Sequence, residues 1–274
     1  MINQGIKPLF DSEAKHYDNI FTKSFLGRFY RTRTHKVLKK YWANNETILE
    51  INAGTGEDAV FLANLGNRVI ATDISTAMLE QIEIKLVKHK LKNKLSVQHL
   101  DISRLAETKI KGITGLLSNF GGLNCINDWE KFASDSHSIV ESGGIVVVCI
   151  MGPMVPWEWV WFLLRGQFSV AFRRVNGESQ WRGQSIYYPS VYKFETIMRE
   201  SSFKLLYREG LGVLMPPSYA NEHVEKWEKI YRFIAKAENK ICKSKLACYF
   251  SDHYLLVFQK QEPKYAPAVK DSLC

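Results

Sequence analysis

Ile48-Leu49-Glu50-Ile51-Asn52-Ala53-Gly54-Thr55-Gly56-Glu57-Asp58 is the stretch that decides the fold. An apolar run ends around an acid, two alternating glycines follow, and a helical pattern then begins. Glycine at a strand-to-helix turn lets a ligand approach the backbone closely. The unpaired N–H groups of the helix start then face that ligand. Such turns lie at the carboxyl ends of parallel strands, where open α/β sheets bind their ligands.

Working outward, Ile48–Ile51 is the first of five short apolar runs. The others are Arg68–Thr72, Leu95–Leu100, Gly115–Phe120 and Ile145–Ile150. Helical patterns near Asp58–Leu65, Thr76–Lys90 and Asn127–Glu141 lie between them. Near-continuous apolar strands alternating with helices predict an α/β fold, a parallel sheet covered on both faces. Right-handed crossovers make that sheet doubly wound. Upstream, Leu9, Phe10, Ala14, Tyr17, Phe21 and Phe25 recur at helical spacing, and Phe29, Tyr30, Val37, Leu38 and Tyr41 mark a second helix from Leu26 to Trp42. Downstream, crowded aromatics at 152–187 interrupt the rhythm and read as an inserted cap. A helix at Ser190–Ser201, a strand at Lys204–Tyr207 reaching toward Leu214, a polar helix at Ala220–Lys243 and a strand at His253–Gln259 resume it. The expected layout is N-terminal helices (1–45), a cofactor-binding Rossmann-like core (46–152), the cap (153–187), completion of the core sheet (188–262) and a flexible tail (263–274).

The glycines alone leave two cofactors open. Gly54-x-Gly56-x-x-Ala59 with Asp73 also fits a dinucleotide fingerprint. Three features separate them: Glu50 stands four residues before Gly54, roughly 45 residues of mainly helical pattern precede the first strand, and a second acid, Asp101, ends the third.

Together these residues resemble the class I S-adenosylmethionine-dependent methyltransferases, well over residues 9 to 150. Glu50 to Gly56 looks like the family's first motif, departing from it at Asn52, where the family usually has its first glycine. The resemblance implies S-adenosyl-L-methionine as cofactor and a role for each matching residue. Asp73 would bind both ribose hydroxyls, since a carboxylate accepts two hydrogen bonds from a vicinal diol. Ile74 and Met78 would flank the adenine, and Asp101-Ile102 would read its edge. Asn119 and Phe120, within Ser118–Gly121, look like the motif closing the fourth strand. Phe10-Asp11 through Ala14, Tyr17 and Asp18 is similar to a leading helix whose tyrosine closes over the cofactor. The implied cofactor set is Tyr17, Glu50, Asn52, Ala53, Gly54, Thr55, Gly56, Asp73, Ile74, Met78, Asp101, Ile102, Asn119 and Phe120. The implied architecture is a mostly parallel seven-stranded sheet with an antiparallel last strand, its final hairpin formed near 205 and 255. Taken singly, Asp101 would also suit a helix N-cap and Asp73 a turn; the ordered spacing carries the reading.

Methyl transfer from a sulfonium is an in-line displacement, so the protein mainly aligns the reactants. A base is needed only where the acceptor must lose a proton. Candidate bases are His16, His223 and His253, with Tyr17 and Tyr188 as positioning hydroxyls; His16 and Tyr17 are the expected catalytic pair. The cap residues Trp157, Trp159, Trp161, Phe162, Phe168, Phe172 and Trp181 suggest a small, largely apolar or aromatic substrate beneath it. Asn124, Trp157, Trp161, Arg165 and Tyr188 are the expected substrate contacts, with Arg165, Arg173 and Arg174 available to an anionic group. A packed cap helix also explains the aromatics, and a cap lying on a membrane is a third reading.

The net charge of +9 attracts anions, yet its Lys and Arg are scattered and no nucleic-acid module is recognisable, so no nucleic-acid partner is expected. The loose clusters Arg28–Lys40 and Arg165–Arg182 read as solvated faces. The alternatives are a nucleic-acid or protein methyltransferase using the basic surface, or an NAD-dependent oxidoreductase. Met215-Pro216-Pro217-Ser218-Tyr219 faintly resembles a motif of amino-methylating nucleic-acid enzymes but lies far from the fourth strand, so the match is rejected. Five cysteines at spacings that match no zinc pattern predict neither a metal nor a disulfide framework. The start shows no signal-peptide pattern, and Met154–Phe172 is interrupted by Pro156, Glu158, Arg165, Gly166 and Gln167. A cytoplasmic enzyme is expected.

Overall fold

A computed structural model describes residues 6–262, and the side chains from Phe10 onward. The expected tail at 263–274 lies outside the described residues. The strands are β1 (Thr47–Glu50), β2 (Arg68–Asp73), β3 (Leu95–His99), β4 (Ile113–Ser118), β5 (Val140–Met151), β6 (Glu178–Trp181), β7 (Gln184–Tyr187), β8 (Phe203–Leu211) and β9 (His253–Lys260). Seven form one sheet in the order β3-β2-β1-β4-β5-β9-β8. Pairs from β3 to β5 are parallel, and β9 runs antiparallel to both β5 and β8. The expected seven-stranded, mostly parallel sheet with its antiparallel last strand is present.

Successive residues of a strand point to opposite faces. Ile48, Val69, Ala71, Val147 and Cys149 therefore enter one core, while Leu49, Ile70, Val146, Val148 and Ile150 enter the other. Helices α2 (Phe25–Tyr41), α3 (Glu57–Asn64) and α4 (Thr76–Lys88) cover the first face, through residues such as Leu26, Leu62 and Ile82. Helices α5 (Trp129–Ile139) and α8 (Val191–Glu200) cover the second, through Phe132 and Phe194. Covering both faces is why the strands lack polar alternation. Ser24, Ser75, Asp128 and Ser190 cap α2, α4, α5 and α8 by accepting N–H bonds from the first turn.

The leading segment is α1 (Ile6–Tyr17), a π-turn at Asp18–Thr22, then α2. A Cβ at Gly27 would lie 1.8 Å from the Phe21 carbonyl oxygen, so only glycine lets α2 start against that turn. Between β5 and α8 lie α6 (Pro156–Leu163), α7 (Phe168–Ala171) and the β6–β7 hairpin. The hairpin turns through Arg182 (φ 49°) and Gly183 (φ 81°), the two positive φ values of a tight hairpin. Tyr187 thus ends a separate two-stranded ribbon rather than restarting the main sheet. Strand β5 begins at Val140, earlier than the apolar run, with a register shift between Ile113 and Gly115. The segment read as one polar helix at Ala220–Lys243 is two, α9 (Asn221–Lys226) and α10 (Glu228–Ile241), broken at Trp227. Among the described residues no helix is long and apolar enough to cross a membrane.

Candidate active site

The loop after β1 follows from its residue types. Asn52, Gly54 and Gly56 have φ of 55°, 56° and 77°. Asn is among the few non-glycine residues that tolerate this left-handed region, so it can replace glycine at 52. Its side chain packs on the bare Cα of Gly122, where an added Cβ would come within 2.5 Å of it. A Cβ on Gly56 would meet Ile82 at 2.8 Å, whereas one on Gly54 would meet nothing within 4 Å. Gly54 therefore opens on a cavity, and Gly56 lets α3 and α4 close behind it.

That cavity, about 540 Å³, lies at the carboxyl ends of β1, β2 and β4. Asp73, at the end of β2, receives N–H bonds from Gly54 and Ser75, both 2.9 Å. Burial raises its pKa, and these donors partly offset that. Ile74, Met78 and Ile102 line the same region. Asp101 also lines it while its carboxylate caps the next turn, accepting the Ser103 N–H at 2.9 Å. Asp101 thus caps that turn and faces the cavity at once.

At the other end of the loop the charges are buried. Asp58 pairs with Arg31 and His35, each at 2.7 Å, and accepts from the Asn119 amide at 2.9 Å. Burial pushes this carboxyl up, but Arg31 and His35 outweigh it and hold it well below the usual range. Glu50 lies close by with no such cation of its own. Burial, and then repulsion from Asp58, push its pKa well above the ordinary value. Glu50 Oε2 and Asn52 Oδ1 are buried with no hydrogen-bond partner. Arg31 also sits over the Phe120 ring at 4.9 Å. Phe120 itself holds φ 50°, a strained conformation for an aromatic residue at the cavity wall.

Two clasps attach the leading helix to this cradle. Asp18 accepts the Thr55 hydroxyl at 2.6 Å and pairs with Lys85 at 2.6 Å. Asp11 accepts the Ser75 hydroxyl at 2.6 Å and the Ala77 N–H at 3.2 Å. Phe10 and Tyr17 thereby line the cavity.

Residues 48–144 match a family model described as a methyltransferase domain. That match spans the cofactor loop, strands β1 to β4 and the start of β5. An uncharacterized protein of Methanocaldococcus jannaschii is 25% identical over 226 residues, 78% of this chain and 82% of that one. Among solved structures, the [4+2]-cyclase SpnF superposes with a TM-score of 0.66 at 12% identity, covering 95% of this chain and 96% of its own. The phosphoethanolamine N-methyltransferase 2 of Haemonchus contortus, with S-adenosyl-L-methionine, gives 0.59 at 18%, covering 92% and 57%. These structural likenesses concern the fold.

The chain is a methyltransferase that uses S-adenosyl-L-methionine, so the dinucleotide reading of Gly54-x-Gly56 gives way. Its residues fit that cofactor. Unpartnered buried acceptors, Glu50 Oε2 and Asn52 Oδ1, suit an ammonium. A carboxylate, Asp73, stands across the loop from them, and the open face of Gly54 leaves room for chain atoms between.

Several expected residues of this methyltransferase sit elsewhere. His16 is exposed and does not line the cavity. The side chains of Thr55 and Asn119 are committed to Asp18 and Asp58, so only their backbones are free to face a ligand. Asn124 is fully buried and ties strands together, donating to the carbonyls of Met151 (3.1 Å) and Tyr187 (2.6 Å). Trp157 stacks on Trp161 at 4.7 Å, Arg165 lies over Trp161, and none of the three lines the cavity. Tyr188 is buried with its hydroxyl 2.9 Å from that of Ser179. Arg173 and Arg174 pair with Glu158 at 2.8 and 2.7 Å, and Arg174 pairs with Asp252 at 3.0 Å. Asp252 in turn holds His253 Nδ1 at 3.0 Å, and the His253 ring backs Phe120 from behind at 6.1 Å. Burial pushes the Asp252 carboxyl up, yet His253 and Arg174 bring it down to about 2. Most of the cap is therefore packing. Its hairpin alone reaches the cavity, through Ser185 and Tyr187. The hairpin tip meets α1, Arg182 pairing with Glu13 and Trp181 lying 6.4 Å from Phe10. Arg31 and Asp58 were missed as site residues because their pairing joins separate helices. The visible signal was an acid, Asp58, inside the cofactor loop.

Proposed function

We propose that this methyltransferase acts on a small molecule with an apolar body, inside the chamber bounded by Phe10, Tyr17, Phe120 and Tyr187. One observation carries the reading: these four rings line the same cavity as the cofactor loop. Among its described lining residues the only cations are Arg31 and Lys131, which pair with Asp58 and Asp135. Arg173 and Arg174 are committed to Glu158 and Asp252, and Arg165 lies over Trp161 away from the cavity, which removes the basis for an anionic group on the acceptor. The Haemonchus relative of the fold also acts on a small molecule, phosphoethanolamine.

Glu50 and Asn52 hold the cofactor's ammonium, and Asp73 holds its ribose. Ile74, Met78, Asp101 and Ile102 enclose the adenine. Bound there, the cofactor supplies a methyl group on a sulfonium for in-line displacement. The protein's part is to exclude water and align the acceptor. Burial raises the Tyr17 pKa and pushes the Cys125 thiol up to about 12, so both stay protonated near neutral pH. Tyr17 thus keeps its proton and serves as no base. No histidine lines the cavity among the described residues. Carboxylates are the only bases left along the cavity wall among the described residues, which suits an acceptor whose nucleophile needs no proton removed, such as an electron-rich carbon or an already ionised group.

Incubation with radiolabelled S-adenosyl-L-methionine, separately with a small-molecule extract and with protein and nucleic-acid fractions, tests this. Label in the organic-extractable small-molecule fraction is expected. Label only in acid-precipitable macromolecules would overturn it.

A further inference from the structure

Helix α10 turns Tyr231, Ile234 and Ala235 toward the core, as a surface helix does, yet it also leaves large apolar side chains in water. Phe233 is 74% exposed, Ile230 is 53% exposed and the preceding Trp227 is 49% exposed. Facing inward are Tyr231 and Glu238, the latter fully buried and accepting the N–H groups of Gly212, Val213 and Leu214. The cap repeats the feature: Leu164 is 81% exposed, and Val160 and Phe168 are also open. The two elements are joined. The Trp161 ring meets His223 of α9 at 4.9 Å, and His223 meets the Tyr231 ring of α10 at 5.9 Å. Two water-facing apolar stripes thus lie on neighbouring, mutually packed elements.

Charge identifies the partner. From Lys226 to Lys245 there are seven Lys and Arg, all exposed, including Lys229, Lys236 and Lys240. The two acids in that span are Glu238, buried, and Glu228, paired with Arg232. A second copy docking through the same face would bring these cations against each other. A nucleic acid would satisfy the charges but leave Ile230, Val160 and Leu164 without an apolar neighbour. An anionic bilayer surface satisfies both. We propose that α10 and the cap helix α6 form one membrane-docking face, with Trp227, Ile230, Phe233 and Leu164 entering the headgroup boundary and the lysines meeting anionic lipid. This stands independently of the acceptor's identity.

Co-sedimentation of the full chain with phosphatidylcholine vesicles, with and without phosphatidylglycerol, tests it. Binding is expected only to the anionic vesicles, and salt should release it. Ile230→Ser with Phe233→Ser should weaken binding about tenfold or more. Lys229→Gln, Lys236→Gln and Lys240→Gln together should weaken it on the order of a hundredfold. All lie on the exposed surface, so circular dichroism and S-adenosylhomocysteine affinity should stay at wild-type values. Equal binding to neutral vesicles, no binding, or variants that bind as well as wild type would overturn the proposal. So would light scattering that shows a dimer which Phe233→Ser dissociates.

Discussion

The cofactor cradle and the junction between cap and β9 hold similar inventories of buried charge and use them differently. In the cradle, Glu50, Asp58, Arg31 and Asp73 surround an open cavity, and Glu50 keeps an oxygen with no partner. At the junction, Glu158, Arg174, Asp252 and His253 pair with one another behind the cavity wall, and none of them lines it. Both regions keep an unpartnered carboxylate oxygen, Glu50 Oε2 in the cradle and Glu158 Oε2 at the junction, so incomplete pairing alone does not mark a binding site; open space facing the charge does. Where no space faces them, paired charges hold elements together instead. Both regions also contain aromatics, but only the cradle's rings face the cavity.

The largest effect is expected at Arg174. Arg174→Met leaves two buried carboxylates without their shared cation and should cost about 3–5 kcal/mol of stability, read as a lower urea midpoint. An unchanged midpoint would mean that the junction holds nothing together. Asp73→Ala acts on the other region. It should weaken S-adenosylhomocysteine binding by roughly 1–3 kcal/mol in calorimetry, with the fold retained; unchanged affinity would remove the ribose role. Glu50 sharpens the contrast through pH. Its pKa is raised in the free protein, and a bound ammonium favours the ionised carboxylate. Binding then releases a proton, so affinity should climb with pH by up to about tenfold per unit, then level once Glu50 is ionised beforehand. Glu50→Gln should give a flat profile, and a sloped one would locate the titrating group elsewhere. The smallest effect belongs to the exposed Arg182–Glu13 pair that joins the hairpin to α1. Arg182→Gln should cost about 0.2–1 kcal/mol, seen as a severalfold faster release of S-adenosylhomocysteine. Unchanged release would show that this contact does not restrain the hairpin.

The cradle was legible because its geometry is local. Alternating left-handed residues, the acid before them and the acid after the next strand lie within Glu50–Asp73, and each residue type answers a constraint set by its immediate neighbours. The cap was misread for the opposite reason. Crowded tryptophans announce burial without saying against what, and Trp157 and Trp161 found each other and α9–α10 rather than a substrate. In the linear sequence Arg31 reads as a solvated cation, because its partner, Asp58, stands on another helix. Ala220–Lys243 was read as a polar helix because its lysines dominate the count, which hid the stripe from Trp227 through Ile230 to Phe233.

By itself the amino-acid sequence determined the alternation of strands and helices, the doubly wound sheet and the cofactor loop. Periodicity and turn chemistry act over a few residues and need no distant partner. The tertiary structure alone decided which charges close on one another. Arg174 meets Asp252 from 78 positions away, and Tyr219 meets Glu158 from 61. It also decided which aromatic residues face space and which face each other. Those outcomes depend on how α6, α10 and β9 are brought together, and in the linear chain many other pairings would satisfy the same side chains equally well.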